Sequence, residues 1–233
     1  MLELHSINSY YDKSHILHDV SLTVKEGEIV GLLGRNGVGK STTLKSIMGI
    51  VPPRSGTIRF NDKETQGLKS YRIAKLGVGY VPEDRRVFPT LTVRQNLIMG
   101  MKSAKKKTYG WTIDRVYDSF PRLKERDVFK AGNLSGGEQQ MLTIGRTLMG
   151  DPSLILIDEP TEGLAPQVVE TVVAVIEEIH RSGVSVLLVE QSMEVVMDLA
   201  STVLVMNKGE IVFTGTPQEL RARPDVVEKY LEV

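Results

Sequence analysis

Cysteine is absent from this sequence, which excludes a disulfide framework and a thiolate metal site and is compatible with a reducing compartment. An excess of one charge is lacking too: lysine and arginine together number 29, aspartate and glutamate 29. No global field therefore argues for nucleic acid or an anionic membrane surface, and any such contact must be local. Long hydrophobic runs are missing as well. The longest strongly apolar stretches are strand-sized, so nothing spans a bilayer and a membrane role requires separate membrane chains. Met1-Leu2-Glu3-Leu4-His5 has neither the basic region nor the apolar segment of a secretory signal. No internal repeat is visible. What remains, at 233 residues, is enough for one large α/β domain, or one domain carrying a smaller inserted lobe.

Against that background one stretch stands out. Gly34-Arg35-Asn36-Gly37-Val38-Gly39-Lys40-Ser41 fits the phosphate-binding pattern of two glycines separated by four residues and followed by lysine and a hydroxyl. Ile29 to Leu33 ahead of it is a buried-strand run; behind it Leu44, Ile47 and Met48 share a helix face, with Gly49 as a stop. The glycines let successive backbone N–H groups and a helix N-terminus point at phosphate oxygens. Lys40 is then expected to reach the β- and γ-phosphates. The Ser41 hydroxyl completes the shell of a magnesium ion that keeps most of its waters, and Thr42 adds a hydroxyl on the α-phosphate side.

Taken in order, Leu2, Leu4 and Ile7, then Val20, Leu22 and Val24, alternate with polar residues as strands with one buried face do. They predict an antiparallel entry to a parallel core. Ser9 to Ser14 reads as a polar loop with two rings, Tyr10 and Tyr11, one of which could stack on a base or simply sit at a hairpin surface. Thr57 to Phe60 is a strand, and Gly77 to Val81 another, ending at Pro82. From Glu83 to about Met149 the spacing turns helical with charged faces, which predicts an inserted helical lobe. Its Lys105-Lys106-Lys107 run reads as a solvated face, with a lipid-headgroup contact as the minority alternative. Within it Ser135 and Glu138 form a capping box at the start of a helix whose stripe is Met141, Leu142, Gly145, Leu148 and Met149. The cap leaves Gly136-Gly137 unexplained, unless something must approach that backbone closely.

Leu154 to Ile157 is a second buried strand, and it ends in Asp158-Glu159-Pro160. Two adjacent carboxylates at such an end are costly unless water, metal or substrate meets them. The expected position is beside the strand feeding the phosphate loop, with Asp158 holding magnesium and Glu159 activating the attacking water as general base. Gln167 to His180 is an amphipathic helix, and His180 suits its C-terminal dipole without a catalytic role. Val184 to Val189 is the next buried strand, closing on Glu190-Gln191. A helix over Met193 to Leu199, strands over Thr202 to Met206 and Ile211 to Phe213, and a helical tail from Pro217 complete the chain.

With these pieces in order the sequence resembles the ATP-binding cassette (ABC) ATPases over essentially its whole length. The resemblance rests on Gly34 to Ser41, on Leu134-Ser135-Gly136-Gly137-Glu138, and on Asp158-Glu159, in that order and spacing. It implies an α/β P-loop NTPase fold in one domain, residues 1–233. The parts are a mainly parallel core sheet, an antiparallel N-terminal β-subdomain and a helical subdomain inserted at about 84–150. It implies ATP and Mg2+ as ligands, Tyr11 as the ring on adenine, and Glu83 at the position that senses magnesium and the γ-phosphate. Two cassettes would pack head to tail, so that Ser135, Gly136, Gly137 and Glu138 close over the γ-phosphate held by the other. Phe88-Pro89 and Leu91-Thr92-Val93 would face a transmembrane partner.

Within the family the phrases Tyr80-Val81-Pro82-Glu83, Asp158 to Pro166 and Val189-Glu190-Gln191 resemble the cassettes of importers for branched-chain amino acids and related amides, including urea. That implies two permeases, a second cassette in a homo- or heterodimer, a periplasmic solute-binding protein, and a place on the cytoplasmic face of the membrane. Neither nucleic acid nor the solute itself would be bound. Three departures from the general pattern are Glu83 for glutamine, Ala165 for aspartate, and Gln191 at the switch-histidine position. An amide donates a hydrogen bond but cannot become a cation, so the chain is expected to be the less competent half of an asymmetric pair. A cassette of a lipid or lipopolysaccharide exporter and a soluble non-transport ATPase are the competing readings.

Overall fold

The computed structural model describes residues 1–102 and 108–232; the lysine run at 105–107 lies outside the described residues. The chain opens with two long strands, β1 (Leu2–Tyr11) and β2 (Ser14–Val24), and then enters the buried strand β3 (Ile29–Leu33) and helix α1 (Lys40–Ile47). Next come β4 (Ser55–Phe60), the short β5 (Lys63–Glu64), α2 (Ser70–Leu76) and β6 (Val78–Val81). The helices α3 (Val93–Met99), α4 (Ile113–Ser119), α5 (Pro121–Glu125) and α6 (Gly136–Leu148) follow. Alternation then returns with β7 (Leu154–Asp158), α7 (Pro166–Arg181), β8 (Ser185–Glu190) and α8 (Met193–Leu199). The chain closes on β9 (Thr202–Asn207), β10 (Glu210–Gly215), α9 (Pro217–Arg221) and α10 (Pro224–Tyr230).

The strands form two sheets. One has the order β2-β1-β4-β5 with antiparallel pairs; the other has the order β10-β9-β3-β8-β7-β6, parallel except at the β9–β10 edge. Alternate residues of the parallel strands enter different cores. Ile29 and Leu33, Ile155 and Ile157, Val186 and Leu188 pack with the helical segment and α7. Val30 and Leu32, Leu154 and Leu156, Leu187 and Val189 pack with α1 and the antiparallel sheet. Burial on both faces is why these strands read as unbroken apolar runs.

Two expectations are corrected here. Ser9 to Ser14 is not a loop: β1 runs through Tyr11 and β2 resumes at Ser14, so the turn is Asp12-Lys13, with Asp12 at φ 50°. Tyrosine side chains favour the pleated pairing, and Tyr10 stacks on the His15 ring across the hairpin, centroids 4.1 Å apart. Second, β7 does not neighbour β3, because β8 lies between them. Register nevertheless aligns their ends: Leu33 stands opposite Glu190, and Val189 opposite Asp158. The phosphate loop and the carboxylate pair thus leave the sheet at the same edge.

Candidate functional site

At that edge lies a cavity of ≈ 400 Å³ lined by Tyr11, Asn36, Gly37, Lys40, Ser41 and Thr42 among others, and by Glu83 and Glu159. Gly37 and Gly39 adopt φ 79° and 116°, which L side chains rarely take, and a Cβ at Gly39 would collide with Leu17. Gly39 therefore starts α1 with its leading amides bare and turned to the cavity, a ready anion site. Tyr11, also in the lining, is 44% exposed.

Lys40 is 3% exposed. Its ammonium donates to the carbonyls of Gly34 at 2.8 Å and Arg35 at 3.0 Å and pairs with the Glu159 carboxylate at 2.9 Å. Glu159 has φ 43°, a left-handed backbone whose cost for a non-glycine residue is about 1–3 kcal/mol. Asp158, 1% exposed, accepts from the Ser41 hydroxyl at 2.9 Å and from the Tyr80 hydroxyl at 3.2 Å. Burial pushes the Asp158 carboxyl up to about 6; those two hydrogen bonds pull it back only in part. The same burial, with the Asp158 charge beside it, raises the Tyr80 phenol far above its ordinary range. The carboxylate pair is thus met by protein partners, a lysine and two hydroxyls.

The donor set suits magnesium. The described residues contain no group of three or more His, Cys, Asp or Glu side chains arranged to hold a metal by themselves. A hydroxyl and a carboxylate in contact, beside a phosphate cradle, supply the one or two hard oxygens that this ion takes from protein, leaving the rest to water and phosphate.

Of the expected residues, Gly34, Arg35, Val38, Ser135, Gly136, Gly137, Glu138, Asp158 and Gln191 fall outside the cavity lining. Ser135, Gly136, Gly137 and Glu138 form the start of α6, where both halves of the capping box are made: Ser135 Oγ accepts from the Glu138 amide at 3.3 Å and Glu138 accepts from the Ser135 amide at 2.8 Å. A Cβ on Gly136 would meet only the tip of the flexible Arg85 side chain, and one on Gly137 the Val168 side chain. Gln191 is exposed and its side chain is not in the lining. Gly34 and Arg35 meet Lys40 through their carbonyls, while Val38 packs its side chain on the core shared with α1 and accepts from the Gly209 amide at 2.8 Å.

Sequence reasoning missed several contributors. Tyr80 reaches Asp158 because β6 pairs with β7. Arg85 donates to the Glu162 carbonyl at 2.7 Å and bridges towards Gly136. Glu190 is 2% exposed and binds the loop that follows Glu159.

Comparison with known proteins fits this geometry. The family described as ABC transporter matches residues 17–162. The high-affinity branched-chain amino acid transport ATP-binding protein BraG of Pseudomonas aeruginosa is 46% identical, over 99% of both chains. The lipopolysaccharide export system ATP-binding protein LptB of Escherichia coli is 34% identical, over 95% of this chain and 92% of that one. A solved ATP-binding subunit of an ABC transporter superposes with a TM-score of 0.84 at 27% identity, covering 100% of this chain and 96% of that one.

Proposed function

The chain belongs to the ATP-binding subunits of ABC transporters, and from that premise we propose that it powers an importer of branched-chain amino acids or related small polar solutes such as amides and urea. The observation that carries the reading is the full-length likeness to BraG, stronger than that to the lipopolysaccharide exporter subunit. It acts as an ATPase on the cytoplasmic face, beside two permeases, a second cassette and a periplasmic binding protein. No helix among the described residues is long and apolar enough to cross a membrane, so translocation belongs to the partners.

In the proposed cycle ATP stacks on Tyr11 and lays its phosphates along the amides of the Gly34–Thr42 loop. Lys40 leaves Glu159 for the β- and γ-phosphate oxygens, because a triphosphate offers more negative charge than one carboxylate. Ser41 and Asp158, with Glu83 beside them, would hold magnesium, which neutralises charge on the phosphates. Glu159, released, orients the attacking water and takes its proton. Gln191 donates a hydrogen bond to the γ-phosphate, and Ser135 with the Gly137 amide of the second cassette closes the site from above. ATP binding thereby supplies the stroke, and hydrolysis resets it.

The permease-facing surface is supported by a groove of ≈ 390 Å³ lined by Met48, Tyr80, Phe88, Met99, Lys102 and Arg146. Phe88, Ile98, Met99 and Met101 around it are exposed at 45%, 46%, 61% and 49%, an apolar patch suited to a partner. Val93, the first residue of α3, is excluded from that surface because it is fully buried. The test is uptake of radiolabelled leucine, isoleucine and valine, with urea and acetamide alongside, in cells of the native host lacking this chain. Uptake of one of these solutes should be lost and restored by the wild type but not by Glu159→Gln. Unimpaired uptake of all of them would overturn the importer reading.

A further inference from the structure

We propose that Glu190 is a positioning residue for Glu159: its buried carboxylate clamps together the two loops beside the nucleotide cavity and keeps the Glu159 backbone in its left-handed turn. The proposal rests on Glu159 being the general base. Glu190 ends β8 and is 2% exposed. One carboxylate oxygen accepts from the Thr161 amide at 3.1 Å and from the Thr161 hydroxyl at 2.7 Å. The other accepts from the amides of Gln191 at 3.0 Å and Ser192 at 3.5 Å. One side chain therefore holds both the loop after the carboxylate pair and the loop bearing Gln191.

The strain at Glu159 explains why a clamp is needed. A left-handed non-glycine backbone persists only where its surroundings over-determine it. On one side the Glu159 amide donates to the Val189 carbonyl at 2.9 Å. On the other, the Glu159 carbonyl accepts from the Glu162 amide at 3.3 Å, Pro160 has no N–H to offer, and both donors of Thr161 go to Glu190. Two consecutive residues of β8 thus pin the turn at both ends, and the Glu159 carboxylate projects to Lys40 as a result.

The chemistry calls for an acid. Four donors converge on Glu190, and a carboxylate is acceptor-only, with two oxygens to share among them. A glutamine of the same shape offers one oxygen and an NH2 group. Whichever way its amide turns, one loop faces a donor in place of an acceptor, and a buried donor without an acceptor is costly. Thr161→Ser keeps both donors, whereas Thr161→Val keeps only the amide.

Hydrogen exchange of the nucleotide-free full chain, followed by mass spectrometry over 159–164 and 190–193, reads the clamp directly. Glu190→Gln is expected to speed exchange in both segments by at least about tenfold. Thr161→Val should loosen 159–164 alone, and Thr161→Ser should match the wild type. ATP turnover by the transporter containing each variant reads the consequence. Glu190→Gln should lower kcat at least about tenfold while the Kd for a fluorescent ATP analogue stays within about twofold. Unchanged exchange in both segments, or full kcat in Glu190→Gln when Glu159→Gln is inactive, overturns the proposal. Turnover that survives Glu159→Gln would instead retire the general-base reading, with the exchange data still reporting on the clamp. If Glu190→Gln does not fold, the Thr161→Val and Thr161→Ser pair decides: equal exchange and equal kcat in the two would count against the clamp.

Discussion

Lys40 and Glu159 form a buried ion pair, Nζ to Oε1 2.9 Å, with side chains only 3% and 6% exposed. The cation proposed to meet phosphate and the carboxylate proposed to activate water hold one another. A buried pair gains little over apolar packing, but breaking it by removing one partner leaves a charge stranded.

Lys40→Met is accordingly expected to lower nucleotide-free stability by about 3 kcal/mol, measured by urea unfolding. Adding Glu159→Gln should restore part of that loss, because no carboxylate is then left unpaired. Additive losses in the double variant would mean that the two side chains do not depend on each other.

Asp158 gives a pH dependence of definite sign. Its carboxyl is raised from 3.8 to about 6 in the folded chain, so the fold binds that proton more tightly than the unfolded chain does. The resulting stability is fully present below the unfolded value and is lost as pH rises through about 6. Asp158→Asn keeps the neutral form at all pH. Its Tm relative to wild type should therefore climb by at least about 2 °C between about pH 5 and about pH 7.5. A difference that stays flat or falls would show that Asp158 titrates normally.

Ala165 N-caps α7 with an extended backbone and no side-chain acceptor. Ala165→Asp supplies one and meets the helix dipole, for an expected gain of about 1 kcal/mol. Thermal unfolding should rise by about 2–4 °C; no rise would mean that neighbouring carboxylates such as Glu162 cancel the cap.

Gln191 can donate to a γ-phosphate but cannot carry a positive charge. Gln191→His should raise steady-state ATP turnover of the purified chain by about tenfold. High turnover in the unmodified chain, unimproved by histidine, would remove the basis for an asymmetric pair.

The sequence was most legible where local chemistry decides. The runs at Ile29–Leu33 and Leu154–Ile157, and the run Val184–Val189 shifted by one residue to Ser185–Glu190, are strands because a doubly covered parallel sheet needs apolar side chains on both faces. Ser135 and Glu138 spelled out their capping box three residues apart. What escaped depends on strand order and on groups distant in the chain. Nothing local says that β8 separates β3 from β7, and only that arrangement sets Glu190 under Thr161. The same holds for Tyr80, which reaches Asp158 through the β6–β7 pairing, and for Arg85, which fills the space that Gly136 leaves open. Polar residues between Ser9 and Ser14 suggest a loop, whereas the β-forming Tyr10 and Tyr11 carry β1 up to a tight turn at Asp12-Lys13.

The most direct measurement is phosphate release from Mg-ATP by the complex captured with this chain from detergent-solubilised membranes, for wild type and for Glu159→Gln, with bound ATP quantified in both. The expected result is ATP bound by both, turnover by the wild type alone, and co-purification of polytopic permeases and a second cassette. Turnover that persists in Glu159→Gln would contradict the role given to the carboxylate freed from Lys40. Capture without any membrane chain would contradict the transport function itself.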